Sequence, residues 1–288
     1  VGCEEVKTDS DLVNGECPVH PGRPLETIEE ENYFFKYSAF TDKLKALYAS
    51  RPEFVVPDFR FNEIKAFVDR GLEDFSISRL AEKMPWGIPV PGDEKHVMYV
   101  WFDALTNYIS TLGWPGNESD AGGDFEKYWV HGTPTQYCGK DNLRFQSAMW
   151  QAMLMAAGVP NSDKIIINGF ITAEGGVRMS KTLGNGIDPN AVVAEYGTDA
   201  LRFFLAKEIS SFEDSPFTME RFKAAYNVYL ANGIGNLTSR IMKMATTNLD
   251  EWPEYVERVR AAEQEGCFDK LAVFDVHAAT NYIWNAMT

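Results

Sequence analysis

The chain has 288 residues, of which 45% are hydrophobic and 13% aromatic, which is enough for a sizeable buried core and about two domains. Its net charge of −15, from 27 Lys and Arg against 42 Asp and Glu, disfavours indiscriminate adhesion to nucleic acid or anionic lipid, so any nucleic-acid contact must be a local patch. No apolar run approaches the roughly 18 residues of a membrane helix and no basic leader opens the chain, so we expect a cytoplasmic protein without DNA or membrane partners.

Residues 1–25 have few core residues and many turn signals. Cys17-x-x-His20 on a turn, together with Cys3, fits three ligands of a tetrahedral structural zinc site. The alternative is a chance match with Cys3 as a stray thiol. Val1 is not an initiator residue, so we expect a cut chain, in which a cysteine upstream of Val1 would supply the fourth ligand.

The middle of the chain alternates helical and strand patterns after two amphipathic helices, 32–49 and 62–70, and a Pro-rich linker at 85–92. The β-rich segments are 96–102, 129–131 with Tyr137, and the apolar run 164–170; the helical segments between them are 103–112 and 142–157. This alternation predicts an α/β fold with a parallel sheet.

Beyond Ile187 the strand patterns stop, and 189–206, 219–246 and 269–288 have helical patterns that predict a bundle. Four cysteines make a poor disulfide framework for this length. Cys138 and Cys267 have apolar neighbours in the sequence, and we expect both to be buried free thiols.

A cationic loop follows the predicted strand 165–168. The glycine-bearing segment 169–177 leads into Arg178-Met179-Ser180-Lys181-Thr182, which brings two cations and two hydroxyls to the carboxyl end of a strand. Such a loop can neutralise charge on a departing pyrophosphate and bind its oxygens. A generic exposed basic turn is the alternative.

Arg178-Met179-Ser180-Lys181-Thr182 resembles the Lys-Met-Ser-Lys-Ser signature of class I aminoacyl-tRNA synthetases, and the segments around Asp188-Pro189 and Asp199 to Arg202 resemble its continuation. Tyr99 to Leu105, Gly139-Lys140-Asp141 and Phe145 are similar to the methionyl-tRNA synthetases in particular, and the knuckle resembles theirs. The resemblance covers essentially the whole chain.

The resemblance implies activation of methionine by ATP with Mg²⁺ and transfer to tRNA(Met). Lys181 would stabilise pyrophosphate, and further residues would shape the ATP site: Arg178, Met179, Ser180, Thr182, Gly169 and Asp141. Aromatic and small residues would form the methionine pocket: Trp101, Ala104, Tyr108 and Phe145. Asn142 and Gln146, where the family usually has Ile and His, would also belong to this pocket, since Gln still offers an N–H to the sulfur. Asn236 and Arg240 would contact the anticodon, with Lys243 on a phosphate.

These matches predict a domain order: a connective insertion with the knuckle (1–95), the second half of a Rossmann-like catalytic domain (96–170), the Lys-Ser loop and stem-contact region (171–217), and the start of the anticodon-binding domain (218–288). The family's His-x-Gly-His element does not occur in these residues, so we expect that they make no adenylate alone. No segment is large enough for the editing domain of branched-chain synthetases, which favours methionine.

Three alternatives stay open: a synthetase for another aliphatic amino acid such as leucine, a non-catalytic tRNA-binding module, and a nucleotidyltransferase of the same superfamily. Retention of Lys181 and of the Gly184-Asn185 turn counts against the second. The C-terminal helical patterns and the knuckle count against the third. For the oligomeric state, we expect a monomer.

Overall fold

The computed structural model describes residues 12, 16, 31–116, 124–180, 184–251 and 261–287, with side chains except at 261–265. Contacts divide the chain into two compact units, one within 1–36 and 74–107 and the other within 37–73 and 108–288. Within the described parts, no helix is long and apolar enough to cross a membrane. The predicted knuckle residues Cys3, Cys17 and His20 lie outside the described residues.

The first unit is built from short antiparallel strands. β1 (Phe34–Phe35) pairs with β3 (Phe75–Ser76), and a three-stranded sheet has the order β4 (Ser78–Leu80), β6 (Asp93–Met98), β5 (Pro89–Val90). Gly92 makes the turn between β5 and β6 with a φ of +81°, a conformation that favours glycine. Helix α3 (Val100–Leu105) follows β6.

The predicted strand 96–102 is therefore wrong in its second half. Strand β6 ends at Met98, and α3 begins at Val100, with the Phe102 and Asp103 amides donating to the Tyr99 carbonyl. Val, Trp and Phe favour strands, but a short apolar run does not distinguish a strand from a helix. The strand neighbours of β6 are also antiparallel.

Two amphipathic helices open the second unit, but the first, predicted over 32–49, begins only at Thr41, because residues 34–35 form strand β1. They are α1 (Thr41–Ser50) and α2 (Asp58–Asp69), preceded by a 3-10 turn at Tyr37–Phe40. Helix α2 follows Pro57, and Asp58 in its first turn complements the helix dipole. Its buried residues, Phe61, Ile64 and Val68, recur at three and four, which is the spacing of one helix face.

A parallel sheet forms the centre of the second unit, with the order β2 (Val55–Val56), β8 (Lys164–Asn168), β7 (Thr135–Gly139). The predicted parallel sheet is thus confirmed, and its central strand buries Ile165, Ile166 and Ile167 completely. Residues 37–73, expected in the insertion, supply β2 to this sheet. The predicted domain limits stay predictions.

The segments before and between strands β7 and β8 are largely helical. A single turn at Lys140–Asn142, a π-helical segment at Phe145–Met149 and α5 (Trp150–Ala157) cover the predicted helix 142–157. Helix α4 (Asn107–Ser110) lies within the predicted helix 103–112. The predicted strand at 129–131 is wrong, because Phe125–Val130 is a π-helical segment whose Trp129 indole donates to the Pro160 carbonyl at 2.9 Å.

The remainder is mainly helical, as predicted. Its helices are α6 (Pro189–Tyr196), α7 (Thr198–Glu208), α8 (Met219–Ala225), the π-helical Tyr226–Gly235, α9 (Asn236–Asn248), α10 (Ala261–Ala272) and α11 (Val276–Met287). The expectation that strands stop beyond Ile187 is wrong by one short strand, because β10 (Ser215–Pro216) pairs in parallel with β9 (Ile171–Thr172). Phe204, Phe217 and Phe222 form the centre of a core cluster between α6, α7 and α8.

Candidate functional site

The carboxyl ends of two neighbouring parallel strands meet at one edge of the sheet. Gly139, the last residue of β7, is in register with Asn168, the last residue of β8. Lys140 and Asp141 follow the first strand, and Gly169 and Phe170 follow the second. In open α/β sheets ligands bind at this edge, so the residues here are the candidates for a site.

Two cations lie beside one aromatic ring at this edge. The Lys140 Nζ atom is 4.7 Å from the centre of the Phe170 ring, and the Arg178 Cζ atom is 4.8 Å from it. Each distance is short enough for an attraction between the cation and the ring. The ring therefore holds a lysine from the sheet and an arginine from the loop near each other.

Each of these cations also has a carboxylate partner. Lys140 Nζ donates to Asp214 Oδ2 at 2.6 Å, and Arg178 Nη2 donates to Asp141 Oδ2 at 3.2 Å. We call Lys140, Asp141, Phe170, Arg178 and Asp214 the carboxyl-edge cluster. The hydrogen bond from Lys140 and a second one from the Phe170 amide hold the pKa of Asp214 below its usual value. The cluster as it stands thus pairs two cations with two anions.

The loop that carries Arg178 is a tight hairpin. The Ala173 amide donates to the Val177 carbonyl at 2.7 Å, and Thr172 and Arg178 form an antiparallel bridge. Gly175 and Gly176, with φ angles of +71° and +77°, adopt a conformation that side chains disfavour. The glycines thus permit the sharp reversal that returns Arg178 to the edge of the sheet.

Asn185 joins the two ends of the segment that contains the predicted pyrophosphate-binding residues. The Ser180 amide donates to Asn185 Oδ1 at 2.9 Å, and Asn185 Nδ2 donates to the Arg178 carbonyl at 3.1 Å. Lys181 and Thr182 lie between these anchors and outside the described residues, so their roles stay predictions. Met179 packs against the core cluster of α6, α7 and α8.

The residues predicted to bind methionine belong to both units. Trp101, which is exposed, and Ala104 lie on α3 in the first unit, and Tyr108, Phe145 and Gln146 lie in the second. Gln146 is 4% exposed, and its Nε2 donates to the Tyr108 hydroxyl at 2.8 Å. Asn142 donates instead to Asp141 Oδ1 at 3.3 Å.

Only one of the two polar atoms of the buried Gln146 amide makes a hydrogen bond with the described residues. Its Oε1 has no hydrogen-bond partner among the described residues, and neither has the Nε1 of Trp150, whose ring centre is 5.9 Å from that of Tyr108. Since Nε2 donates to the Tyr108 oxygen, the hydroxyl proton of Tyr108 is left to donate elsewhere. This pair is therefore suited to hydrogen-bonding a weak acceptor such as a thioether.

The predicted tRNA-contacting residues lie on α9. Asn236 and Arg240 are both exposed, one helical turn apart, and line a groove of about 460 Å³ with Leu237, Ile241 and Trp284. Arg240 and Lys243 are the charged residues of this helix, whose sequence contains no Asp or Glu. The face is thus locally basic in a chain with a charge of −15.

The metal and thiol predictions have different outcomes. Among the described residues there is no group of three or more His, Cys, Asp or Glu that could hold a metal ion, and the zinc prediction rests on residues outside them. Cys138 and Cys267 are free thiols, as expected, although both are half-buried. Burial raises the pKa of Cys138 to about 12, so that thiol is unreactive at neutral pH.

Asp214 is the functional-site candidate that sequence reasoning missed. It contacts Lys140, which is 74 residues away, and it lies in the loop between α7 and β10, where no recognised motif occurs. A carboxylate in a loop is usually solvated, so nothing in the local pattern singles it out. Lys140 belongs to the Gly139-Lys140-Asp141 motif, but only the structure shows that its ammonium pairs with Asp214 and lies beside the Phe170 ring.

Comparison with known proteins gives a consistent result. The family model described as tRNA synthetases class I (M) matches residues 2–242. The methionine–tRNA ligase of Thermosynechococcus vestitus is 44% identical over 246 residues, which are 85% of this chain and 46% of the relative. That of Mesorhizobium japonicum is 45% identical over 227 residues, 79% of this chain and 42% of the relative. The chain thus spans somewhat less than half the length of these relatives.

A solved structure resembles the fold closely. Mycobacterium tuberculosis methionyl-tRNA synthetase, determined in complex with methionyl-adenylate, superposes with a TM-score of 0.81 at 37% sequence identity. The match covers 93% of this chain and 53% of that structure.

Proposed function

The chain belongs to the class I (M) tRNA synthetases, and from this premise we propose that it serves an enzyme that activates methionine with ATP to methionyl-adenylate and charges tRNA(Met). The observation that carries the proposal is the carboxyl-edge cluster, which places Lys140 and Arg178 beside a glycine hairpin at the end of two parallel strands. The methionyl relatives support the choice of amino acid.

In this proposal the loop binds the triphosphate and stabilises the departing pyrophosphate. Negative charge accumulates on the bridging oxygen as the bond to the α-phosphorus breaks, so a cation placed there lowers the barrier. Lys181 supplies that cation, and Arg178, Ser180 and Thr182 bind phosphate oxygens. Met179, anchored in the core cluster, orients the loop. Mg²⁺ enters with ATP as part of the substrate.

The Arg178 and Asp141 pair is suited to exchange partners during this reaction. Their side chains are 69% and 42% exposed, and exposed ion pairs contribute no more than about 1 kcal/mol. A phosphate oxygen can therefore replace the carboxylate at little cost. Asp141 is then free to accept a hydrogen bond from the substrate, and Gly169 keeps the backbone close to the nucleotide.

The methionine side chain binds, in this proposal, among Trp101, Ala104, Tyr108, Phe145 and Gln146, with Asn142 at the margin. Aromatic ring edges attract a polarizable sulfur, and the Tyr108 hydroxyl has a proton available for it. Gln146 in place of the usual His retains a donor, but one that does not titrate. Methionine recognition is therefore expected to be insensitive to pH at this residue.

We also propose that Asn236 and Arg240 contact the anticodon, with Lys243 on a phosphate. Asn and Arg side chains one turn apart on a helix can both reach base edges. A structural zinc ion held by Cys3, Cys17 and His20 remains part of the proposal, as does a monomeric state. Zinc in such a site stabilises the fold and takes no part in the reaction.

The test is methionine-dependent ATP–pyrophosphate exchange and aminoacylation of tRNA(Met), measured with the protein at its full natural length. Lys181→Ala should lower exchange about 100-fold or more, as expected for a group that acts on the transition state. Lys243→Ala, on α9, should leave exchange unchanged and lower only aminoacylation. It is the matched control for the loss of a lysine.

Other outcomes separate the alternatives. Exchange with leucine in preference to methionine would make the protein a leucyl enzyme. Binding of tRNA without exchange for any amino acid would indicate a non-catalytic tRNA-binding module. Equal exchange by the Lys181→Ala variant and the unaltered protein would refute the role assigned to the loop.

A further inference from the structure

Asp214 joins the ends of both parallel strands. Its Oδ2 accepts from Lys140 Nζ at 2.6 Å, after β7, and its Oδ1 accepts from the Phe170 amide at 3.0 Å, after β8. One carboxylate thus fixes a cation from one strand and the backbone of the next. Neither family motif in the sequence includes this residue.

The segment that carries Asp214 is itself held firmly. Ser210 Oγ accepts from the Glu213 amide at 3.1 Å, and Ser215 Oγ accepts from the Ser210 amide at 3.0 Å. Asn168, the last residue of β8, donates to the Ser211 carbonyl at 2.8 Å. Asp214 is therefore presented to Lys140 from a fixed backbone.

A lysine ammonium needs such a partner to occupy one place. The Lys140 side chain has four rotatable bonds, and an unpartnered ammonium would sample many positions. Asp214 and the Phe170 ring, 4.7 Å away, restrict it from two directions. The side chain is still 27% exposed, so the ammonium, which has three N–H donors, can also bind an incoming anion.

We propose that Asp214 is a positioning residue of the nucleotide site, which holds the Lys140 ammonium where it binds a phosphate group of ATP. The inference rests on the proposed function and deepens it, because it names the group that prepares the sheet side of the triphosphate site. The hydrogen bonds that lower the pKa of Asp214 keep it ionised at neutral pH.

The test uses ATP–pyrophosphate exchange with the protein at its full natural length. Asp214→Asn keeps an oxygen for the Phe170 amide but removes the charge that holds Lys140. We expect a rise of about tenfold in the KM for ATP, the change that follows from losing a charge-assisted hydrogen bond, and a KM for methionine within about twofold of normal. Glu213→Gln is the matched control, since that exposed carboxylate makes no hydrogen bond or ion pair with the described residues.

Lys140→Met provides the second variant and does not disturb the bond between Asp214 and the Phe170 amide. It should raise the KM for ATP selectively, and Asp214→Asn should add less than about twofold in its presence, because both changes act through one group. Fully multiplicative effects would overturn the inference. Equal changes in the KM for ATP and the KM for methionine in either variant would also overturn it. An unchanged KM for ATP in Lys140→Met would do the same, and that test holds even if Asp214→Asn fails to fold.

The inference and the proposed function fail in different ways. If the unaltered protein shows no exchange with any amino acid, the proposed function is refuted and the inference falls with it. If the unaltered protein exchanges normally and both variants match Glu213→Gln, only the positioning role is refuted.

Discussion

Gly169→Ala should destabilise the candidate site severely, because this glycine lies against the backbone of another segment. A Cβ atom at residue 169 would lie 2.2 Å from both the carbonyl carbon and the oxygen of Glu213, and 2.7 Å from the Asp214 nitrogen. Ordinary contacts between such atoms are roughly 3.5 Å, so the segments around residues 169 and 213 would have to separate by about 1.3 Å. No side-chain rotation relieves a clash with backbone atoms.

The cost can be worked from the contacts that such a shift strains. Overpacking that moves backbone typically costs about 1–3 kcal/mol. The same separation strains the bonds from the Ser215 amide to the Phe170 carbonyl at 3.0 Å and from the Phe217 amide to the Thr172 carbonyl at 2.9 Å, each worth about 1 kcal/mol. Alanine regains about 0.4–1 kcal/mol by restricting the unfolded chain. The net loss should be about 2 kcal/mol or more.

The assay is thermal unfolding of the 288-residue chain, followed by circular dichroism. A loss of about 2 kcal/mol corresponds to a fall in Tm of about 4–8 °C for a protein in this size range. Gly186→Ala is the matched control, because a Cβ there meets nothing within 4 Å and the φ angle is not in the left-handed region. A Tm for Gly169→Ala within 1–2 °C of this control would refute the reasoning, since it would show that the 213–214 backbone yields freely.

Three further predictions follow from buried groups. The Glu31 carbonyl, 2.9 Å from His96, and Asp93 Oδ2, 2.8 Å from it, raise the pKa of His96. Protection of β6 from hydrogen exchange should therefore be greatest between about pH 4, where Asp93 is ionised, and about pH 6.5, and should fall as pH rises through the raised pKa of His96. Asp93→Asn should flatten that dependence, and an unchanged profile would contradict it. Phe204→Ala, at a residue 1% exposed, should cost about 3–5 kcal/mol in denaturant unfolding, and a loss under about 1 kcal/mol would be inconsistent with the core cluster. Gln146→Leu removes an unpartnered oxygen together with a donor, so stability should change by less than about 1 kcal/mol while the KM for methionine rises; equal KM values would count against the pocket.

Elements with a strong local signal were predictable from the sequence. The apolar run at 164–170 became the central strand β8, which ends two residues earlier at Asn168, and the apolar spacing in α2 became its buried face. The Asp188-Pro189 pair starts α6, since the Asp188 carboxylate accepts from the Asn190 amide at 2.9 Å. In each case the signal that predicts the element lies in residues that are close together in the sequence.

The errors occurred where two local structures suit the same residues. Tyr-Val-Trp-Phe after β6 and the run around Trp129 have aromatic and β-branched side chains, which favour strands when nothing else decides. In the fold, Trp129 buries its ring against Trp150, with centres 6.2 Å apart, and gives its indole proton to Pro160. These distant partners select the helical form, and local sequence does not reveal them.

The site itself was predicted only in part, because the sequence shows which charges are present but not which of them are neutralised. The motifs indicated a basic edge, whereas the structure pairs Lys140 with Asp214 and Arg178 with Asp141. An anion must therefore compete with two carboxylates, and the two pairs are unequal. The Lys140 pair is shorter, at 2.6 Å against 3.2 Å, and its lysine is 27% exposed against 69% for the arginine.

Under the proposed function, this difference between the two ion pairs gives the two cations different tasks. The exposed Arg178 pair opens at little cost, so the loop can change partners as a triphosphate arrives and departs. The Lys140 ammonium, held by Asp214 and the Phe170 ring, keeps its position and would bind a phosphate oxygen in addition to Asp214. If the proposed function holds, a site with one exchangeable and one fixed cation would release pyrophosphate when Arg178 returns to Asp141, while the sheet side of the site stays preorganised for the next ATP.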